Sequence, residues 1–265
     1  MRQPLRLPPF PNNLNSIVLS LHGQTVEVRF PQSIAADVEG LFPTSILTSA
    51  VAQSCVTIVE RNDSYALYSS DASSEIDVPR AQVPLHLMEE VTRALITRLD
   101  TAVALHAAAV GCNGTSILLP GVTGSGKSSL AAWLLDHGFD YLTDEVAILT
   151  GPNAILGFPR PLVIKPGAAE SVQSFSVFEQ SKRVECDAHL LALPPEAKID
   201  SGARPVGLII FPQFEPGADV RIEALTAGET ALKLVACNLN ARNLQHGGFE
   251  AIAALSRQTL AGRIR

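Results

Sequence analysis

Gly121-Val122-Thr123-Gly124-Ser125-Gly126-Lys127-Ser128 satisfies the spacing G-x-x-x-x-G-K-[ST] in full, and that spacing is built for polyphosphate. Its glycines let consecutive backbone N–H groups turn inward on phosphate oxygens with no Cβ in the way. The positive end of the helix that follows adds to the field an anion meets there. Lys127 is expected to reach the β- and γ-phosphates of ATP and the Ser128 hydroxyl to ligate Mg²⁺, with Ser129 a weaker partner for the α-phosphate. The alternative is a glycine-rich turn that matches by chance. The apolar SILLP before the loop and SLAAWLL after it speak against chance, because they supply the strand and the helix such a loop needs.

Seventeen residues after Lys127, at the end of the strand-like FDYL, stand Asp144 and Glu145. Adjacent carboxylates at the C-terminal end of a strand lie where open α/β sheets place their ligands. One can hold Mg²⁺ while the other accepts the proton of an attacking hydroxyl. A polar turn or a helix N-cap would explain the same pair, but the apolar VAIL starts immediately after it, so a cap is the less natural reading. Phosphoryl transfer also calls for a cation beyond the loop. Arg160 in FPRP and Lys165 in VIKPG are the nearest, and each is equally well a surface-loop cation. Prolines on both sides of Arg160 restrict its backbone. Arg242 with Asn238 and Asn240 could reach substrate or ribose, although a solvated helix end accounts for them better. His246-Gly247-Gly248 reads as a turn, and the six histidines show no H-x₃₋₅-H spacing that would make a zinc site.

The elements that must position these residues follow from periodicity. Apolar residues alternate from Ile17 to Phe30 around His22-Gly23, and again over Val56 to Val59 and Tyr65 to Tyr68 around Arg61-Asn62-Asp63, which predicts a small β-rich unit. The proline-rich first fifteen residues are expected to form a loose, extended tail. In LHLMEEVTRALITRL, Leu87, Met88, Val91, Leu95 and Leu99 share one helical face, which predicts an amphipathic helix closing the N-terminal unit near residue 100. Domains are therefore expected at 1–84, β-rich, and 85–265, carrying the phosphate loop. Within the second, strands are expected at Ser116 to Leu119, up to Leu142, and at Val206 to Phe211, with a helix from Lys127 to His137 stopped by Gly138. Thr226 and Glu229 have capping-box spacing, and Phe249 to Leu260 predicts a last amphipathic helix. The β-rich unit is a natural dock for a peptide by strand addition.

Composition narrows the functional classes. The chain has 265 residues, is 46% apolar and 17% charged, and has a net charge of −6, which suits a packed α/β protein and disfavours nucleic acid or anionic lipid as partner. The four cysteines, at 55, 112, 186 and 237, form no C-x-x-C pair and accompany no charged-then-apolar leader, so free thiols and a cytoplasmic location are expected. Apolar runs fall well short of the ~18 residues a membrane span needs.

His106 in LHAAAV stands fifteen residues before Gly121, the phosphate loop follows, and HGFDYLTDE closes the set. Together these resemble HPr kinase/phosphorylase, specifically its C-terminal catalytic domain, whose RG-x-x-x-(hydrophobic)-x-DD is matched by the last segment, and more closely the shorter HPr-kinase-like serine kinases of bacterial gene clusters. The resemblance covers Leu105 to Leu149, with weaker similarity over 157–167 and 204–214. It implies an α/β P-loop kinase domain of the HPr kinase C-terminal type behind a small β-rich unit. It further implies a Mg²⁺-dependent ATP:serine phosphotransferase acting on a peptide or small protein, such as a lasso precursor peptide, and it is compatible with a homo-oligomer. Carried over by position, Asp144 is the general base, Glu145 the Mg²⁺ partner in place of the usual second Asp, and His106 the histidine beside the nucleotide. Taken alone, His106 is equally a strand-edge histidine with a structural hydrogen bond. The ELRG-type signature of HPr kinases has no counterpart in QSFSVFEQSKRVECDAH, which points away from HPr itself. Two alternatives stay open: a kinase for free serine or another metabolite, and an ATP-binding regulatory module that hydrolyses slowly or not at all.

Overall fold

Two hairpins of the same kind open the two halves of the fold. His22 and Gly23 both have positive φ, 47° and 79°, as do Asn113 and Gly114 at 50° and 79°, so each pair makes a two-residue turn whose twist matches the strands it joins. The computed structural model describes residues 10–42, 46–47, 51–70, 75–176, 182–186, 189–194 and 199–265. Residues 1–9 of the proline-rich tail, and 177–181 and 187–188 of the stretch compared with the ELRG-type signature, lie outside them. The protein is mixed α/β, with two large sheets and a small third one.

The first sheet contains β1 (Asn15–Leu21), β2 (Gln24–Phe30), β3 (Ile46–Leu47), β4 (Ser54–Glu60), β5 (Tyr65–Ser69) and β6 (Glu75–Val78), in the order β3-β1-β2-β4-β5-β6. The β2/β4 pair is parallel and the others antiparallel, with α1 (Ala35–Leu41) in the crossover. Helix α2 (Val83–Thr97) packs on β2, β4 and β5, burying Leu87, Met88, Val91 and Leu95. For that reason α2 belongs with this unit, which runs up to Arg98 and also takes in residues 184–189, while 99–183 and 190–265 form the second unit.

The second unit is organised around β7 (Val103–Cys112), paired antiparallel with β8 (Thr115–Pro120) on one side. On its other side it pairs with β9 (Asp140–Thr143) and β10 (Val146–Leu149), which continues to β11 (Ala154–Gly157). Beyond β8 come β15 (Arg204–Pro212) and β17 (Leu260–Ile264), both parallel to it in direction, and then β16 (Ile222–Ala224) at the edge. The small sheet includes β12 (Leu162–Ile164) paired with β14 (His189–Leu193); β13 (Lys182–Cys186) precedes β14.

Strand β7 is apolar on both faces because both are covered. Val103, Leu105, Ala107 and Ala109 pack with Ala231 and Leu234 of α5 (Ala227–Ala236) and Ile252 and Leu255 of α6 (Phe249–Gln258). Ala108 and Val110 pack with Ala131, Ala132 and Leu135 of α3 (Lys127–Asp136), together with Val172 of α4 (Pro166–Gln173). Period-two alternation puts His106 on the α3 side of the sheet. Thr226 caps α5 with both bonds of the capping box, as the spacing predicts. The last helix ends at Gln258, and Leu260–Ile264, expected to start as its end, is a strand that hydrogen-bonds beside β15.

Candidate active site

The phosphate loop leaves β8 at Pro120 and enters α3 at Lys127. Gly126 is the N-cap with φ 98°, a backbone that side chains rarely adopt. A Cβ on Gly121 would stand 2.6 Å from Ser125 Oγ, so a side chain there would have to push that hydroxyl aside. Lys127 is buried and donates to the carbonyls of Gly121 (2.8 Å) and Val122 (3.1 Å). Burial lowers its pKa, opposed by the nearby charges of Glu145 and Asp144. Thr123 and Gly124 are exposed, while Ser128 and Ser129 are half-buried on the first turn of α3.

The two carboxylates divide the site between them. Asp144 is 2% exposed and its Oδ2 accepts from Ser128 Oγ at 3.0 Å and from the Val163 amide at 3.1 Å. Its Oδ1 is buried with no hydrogen-bond partner. Burial raises this carboxyl from 3.8 to about 6, against the pull of the Val163 and Ser128 hydrogen bonds. Glu145 Oε1 lies 3.2 Å from His106 Nε2 and its Oε2 lies 3.2 Å from Arg160 Nη2. Burial works to raise the Glu145 pKa, but the His106 hydrogen bond and the charges of Arg160, His106 and Lys127 outweigh it and hold the group at about 2. The contacts thus set Asp144 against Ser128 of the loop and Glu145 against His106 and Arg160.

Several neighbours fix this arrangement. The His106 amide donates to the Cys237 carbonyl at 2.7 Å, and Val146, directly after Glu145, stands opposite His106 in the β10/β7 register. Arg160 is 3% exposed, so the reading of it as a surface-loop cation does not hold. Its carbonyl accepts from the fully buried Tyr141 hydroxyl at 2.5 Å, and Thr143 Oγ1 donates to the Phe158 carbonyl at 3.0 Å. Tyr141 and Thr143, two residues apart on β9, therefore clamp the segment that carries Arg160. Neither was singled out by motif; the period-two spacing in FDYLT is the signal that could have found them. Lys165 is exposed at the start of α4, and its charge disfavours a second ammonium at Lys127 without touching the carboxylates.

Beyond α5, Asn238 and Asn240 hold the backbone together. Asn240 is buried and donates to the carbonyls of Leu99 (2.7 Å) and Ala102 (2.9 Å) while accepting from the Ala104 amide (2.8 Å). Asn238 donates to the Gly247 carbonyl at 2.8 Å, Arg242 is exposed, and His246, Gly247 and Gly248 form a positive-φ turn into α6. Asn240→Ala should cost about 2–4 kcal/mol in a urea titration, because several backbone groups at the start of β7 lose their partner at once. A loss below about 0.5 kcal/mol would show that water replaces the amide.

Of six buried side-chain polar atoms without a hydrogen-bond partner among the described residues, three sit here: Ser125 Oγ, Asp144 Oδ1 and Arg160 Nε. Buried polar atoms are rarely left unmade without a reason, and a polar ligand between loop and carboxylates supplies one. No protein-family model matches the chain, and no curated protein matches it either. Among the described residues, no helix is long and apolar enough to cross a membrane.

Proposed function

We propose that the protein is a Mg²⁺-dependent ATP phosphotransferase whose acceptor is a serine hydroxyl on a peptide or small protein. The observation that carries it is the Ser128–Asp144 bond beside Glu145 held by His106 and Arg160, because a bare nucleotide-binding loop would need only the first of these. The choice of a serine-bearing peptide rests on the resemblance to HPr-kinase-like proteins.

In this reading the loop 121–128 takes the ATP phosphates, and Lys127 exchanges its bonds to the Gly121 and Val122 carbonyls for phosphate oxygens. The pair Ser128 and Asp144 fits a divalent cation, having a hydroxyl, a buried carboxylate and an unpartnered oxygen. Bound Mg²⁺ supplies charge neutralisation on the phosphate oxygens. Glu145 orients the serine hydroxyl for in-line attack on the γ-phosphorus. The bond from that phosphorus to the β,γ-bridging oxygen breaks, ADP leaves, and the serine proton passes to Glu145. A carboxylate with a pKa near 2 is a weak base, which suits a loose transition state in which the proton leaves late and positioning matters most. Arg160 and His106 fix the carboxylate and keep it charged.

The test is to incubate the protein with Mg²⁺, γ-labelled ATP and a size-fractionated extract, with Glu145→Gln as control. Label in a peptide or protein fraction, absent with the variant, is the expected result. Label confined to small metabolites would replace the acceptor class, and free phosphate alone would replace transfer by ATP hydrolysis.

A further inference from the structure

Strand β15 runs parallel to β8, so the chain leaving it at Pro212 emerges at the same end of the sheet as the phosphate loop. Two residues later, the Phe214 amide donates to the Ser125 carbonyl of the loop at 3.0 Å. Phe214 Cβ lies 3.4 Å from where a Cβ on Gly126 would stand. The aromatic residue is thus pinned by its backbone directly beside the last two residues of the loop before Lys127. Its side chain is left open: Phe214 is 71% exposed, and the residues from Gln213 to Ala224 are exposed throughout, so no neighbouring segment among the described residues covers it. Val122 on the loop itself is 70% exposed.

A large aromatic side chain left in water and anchored at the rim of a polyphosphate site is placed to take a flat ligand. A base presents a π-face, and base–aromatic stacking is sequence-tolerant and strong enough to change affinity about tenfold. Resting on the nucleotide-binding reading above, we infer that Phe214 is the stacking platform for the purine of ATP, the phosphates being taken by the loop and the base by this ring. Phe214 falls outside the phosphate-loop motif, as the last residue of the weaker similarity over 204–214 and just after the apolar run of β15.

The discriminating ligands are ATP and inorganic tripolyphosphate, each titrated with Mg²⁺ by calorimetry into the full chain, wild type, Phe214→Ala and Phe214→Tyr. The expected result is that Phe214→Ala weakens ATP about tenfold or more, leaves tripolyphosphate within about twofold, and that Phe214→Tyr restores ATP binding. Because the residue is exposed, the alanine variant keeps its fold, and unchanged tripolyphosphate binding reports that directly. Equal ATP affinity in wild type and Phe214→Ala overturns the assignment, as does a wild type that binds tripolyphosphate as tightly as ATP, with the phosphate site intact in both cases. A wild type that binds neither ligand overturns the nucleotide reading itself.

Discussion

Glu145→Gln should lower phosphoryl transfer by about 10³-fold while changing MgATP affinity by less than about threefold, the scale on which removing one preorganised electrostatic contact acts. Gln keeps the size of the side chain but loses the charge that both His106 and Arg160 address, each at 3.2 Å. Arg160 is almost wholly buried, so its guanidinium would be left with a neutral partner. Water reaches Glu145, whose side chain is 36% exposed, and this screening limits the loss of stability to about 1–2 kcal/mol, less than for a fully buried pair. The carboxyl lies at about 2 against 4.5 unfolded. Its contribution to stability is therefore present above about pH 4.5 and is lost as the pH falls toward 2. It also follows that Glu145 is ionised throughout the working range and adds no limb to a pH–rate profile above about pH 4. Single-turnover kinetics together with nucleotide titration, read from the quenching of Trp133, would check this. Turnover within tenfold of wild type would make Glu145 a structural ion-pair partner and return the orientation of the acceptor to another group.

The different partners of Asp144 and Glu145 show where a linear pattern stops being informative. Neighbours at the end of a strand point to opposite sides, so the order Asp-Glu says that one carboxylate faces the loop and one faces away, but not which. The answer depends on the register of β9 and β10 along β7, set by pairings such as Val146 with His106 and Ala109 with Thr143, and those are long-range. The phosphate loop, α3 and the capped α5 were legible because each is closed by local chemistry: glycine φ, helix periodicity, a side-chain cap. Asn113-Gly114 carries an equally local hairpin signal, although the apolar AAAV of β7 has no alternation to mark it as a strand, because helices cover both of its faces. Strand β17, with sequence LAGRI, has a glycine at its centre and little β-propensity. It is a strand because β15 offers it a parallel edge. Burial of Arg160 likewise follows from Tyr141 and Glu145 converging on it, not from its flanking prolines.

Asp144→Asn should shift the Mg²⁺ dependence of transfer to higher concentration and reduce turnover by about 10²- to 10³-fold, and the wild-type residue should make metal affinity pH-dependent in a window that Glu145 cannot produce. In the metal-free protein Asp144 titrates at about 6, raised from 3.8 by burial. The folded state therefore binds this proton more tightly than the unfolded chain, and its burial costs stability progressively as the pH rises from about 4 to about 6, remaining at its full cost above that. A cation at Ser128 and Asp144 reverses the balance, since it favours the carboxylate and releases the proton. Apparent Mg²⁺–nucleotide affinity should then be flat above about pH 6.5 and fall by up to about tenfold per pH unit below 6. Asn, isosteric but unable to ionise, should give a weak and pH-independent affinity. Calorimetry in two buffers of different ionisation enthalpy would detect the released proton at pH 5.5 and its absence at pH 7.5. A wild type whose affinity does not change between those pH values would move the metal away from Asp144. The Ser128 bond would then be a helix-start contact that merely buries an acid, leaving the unpartnered Oδ1 without a chemical reason.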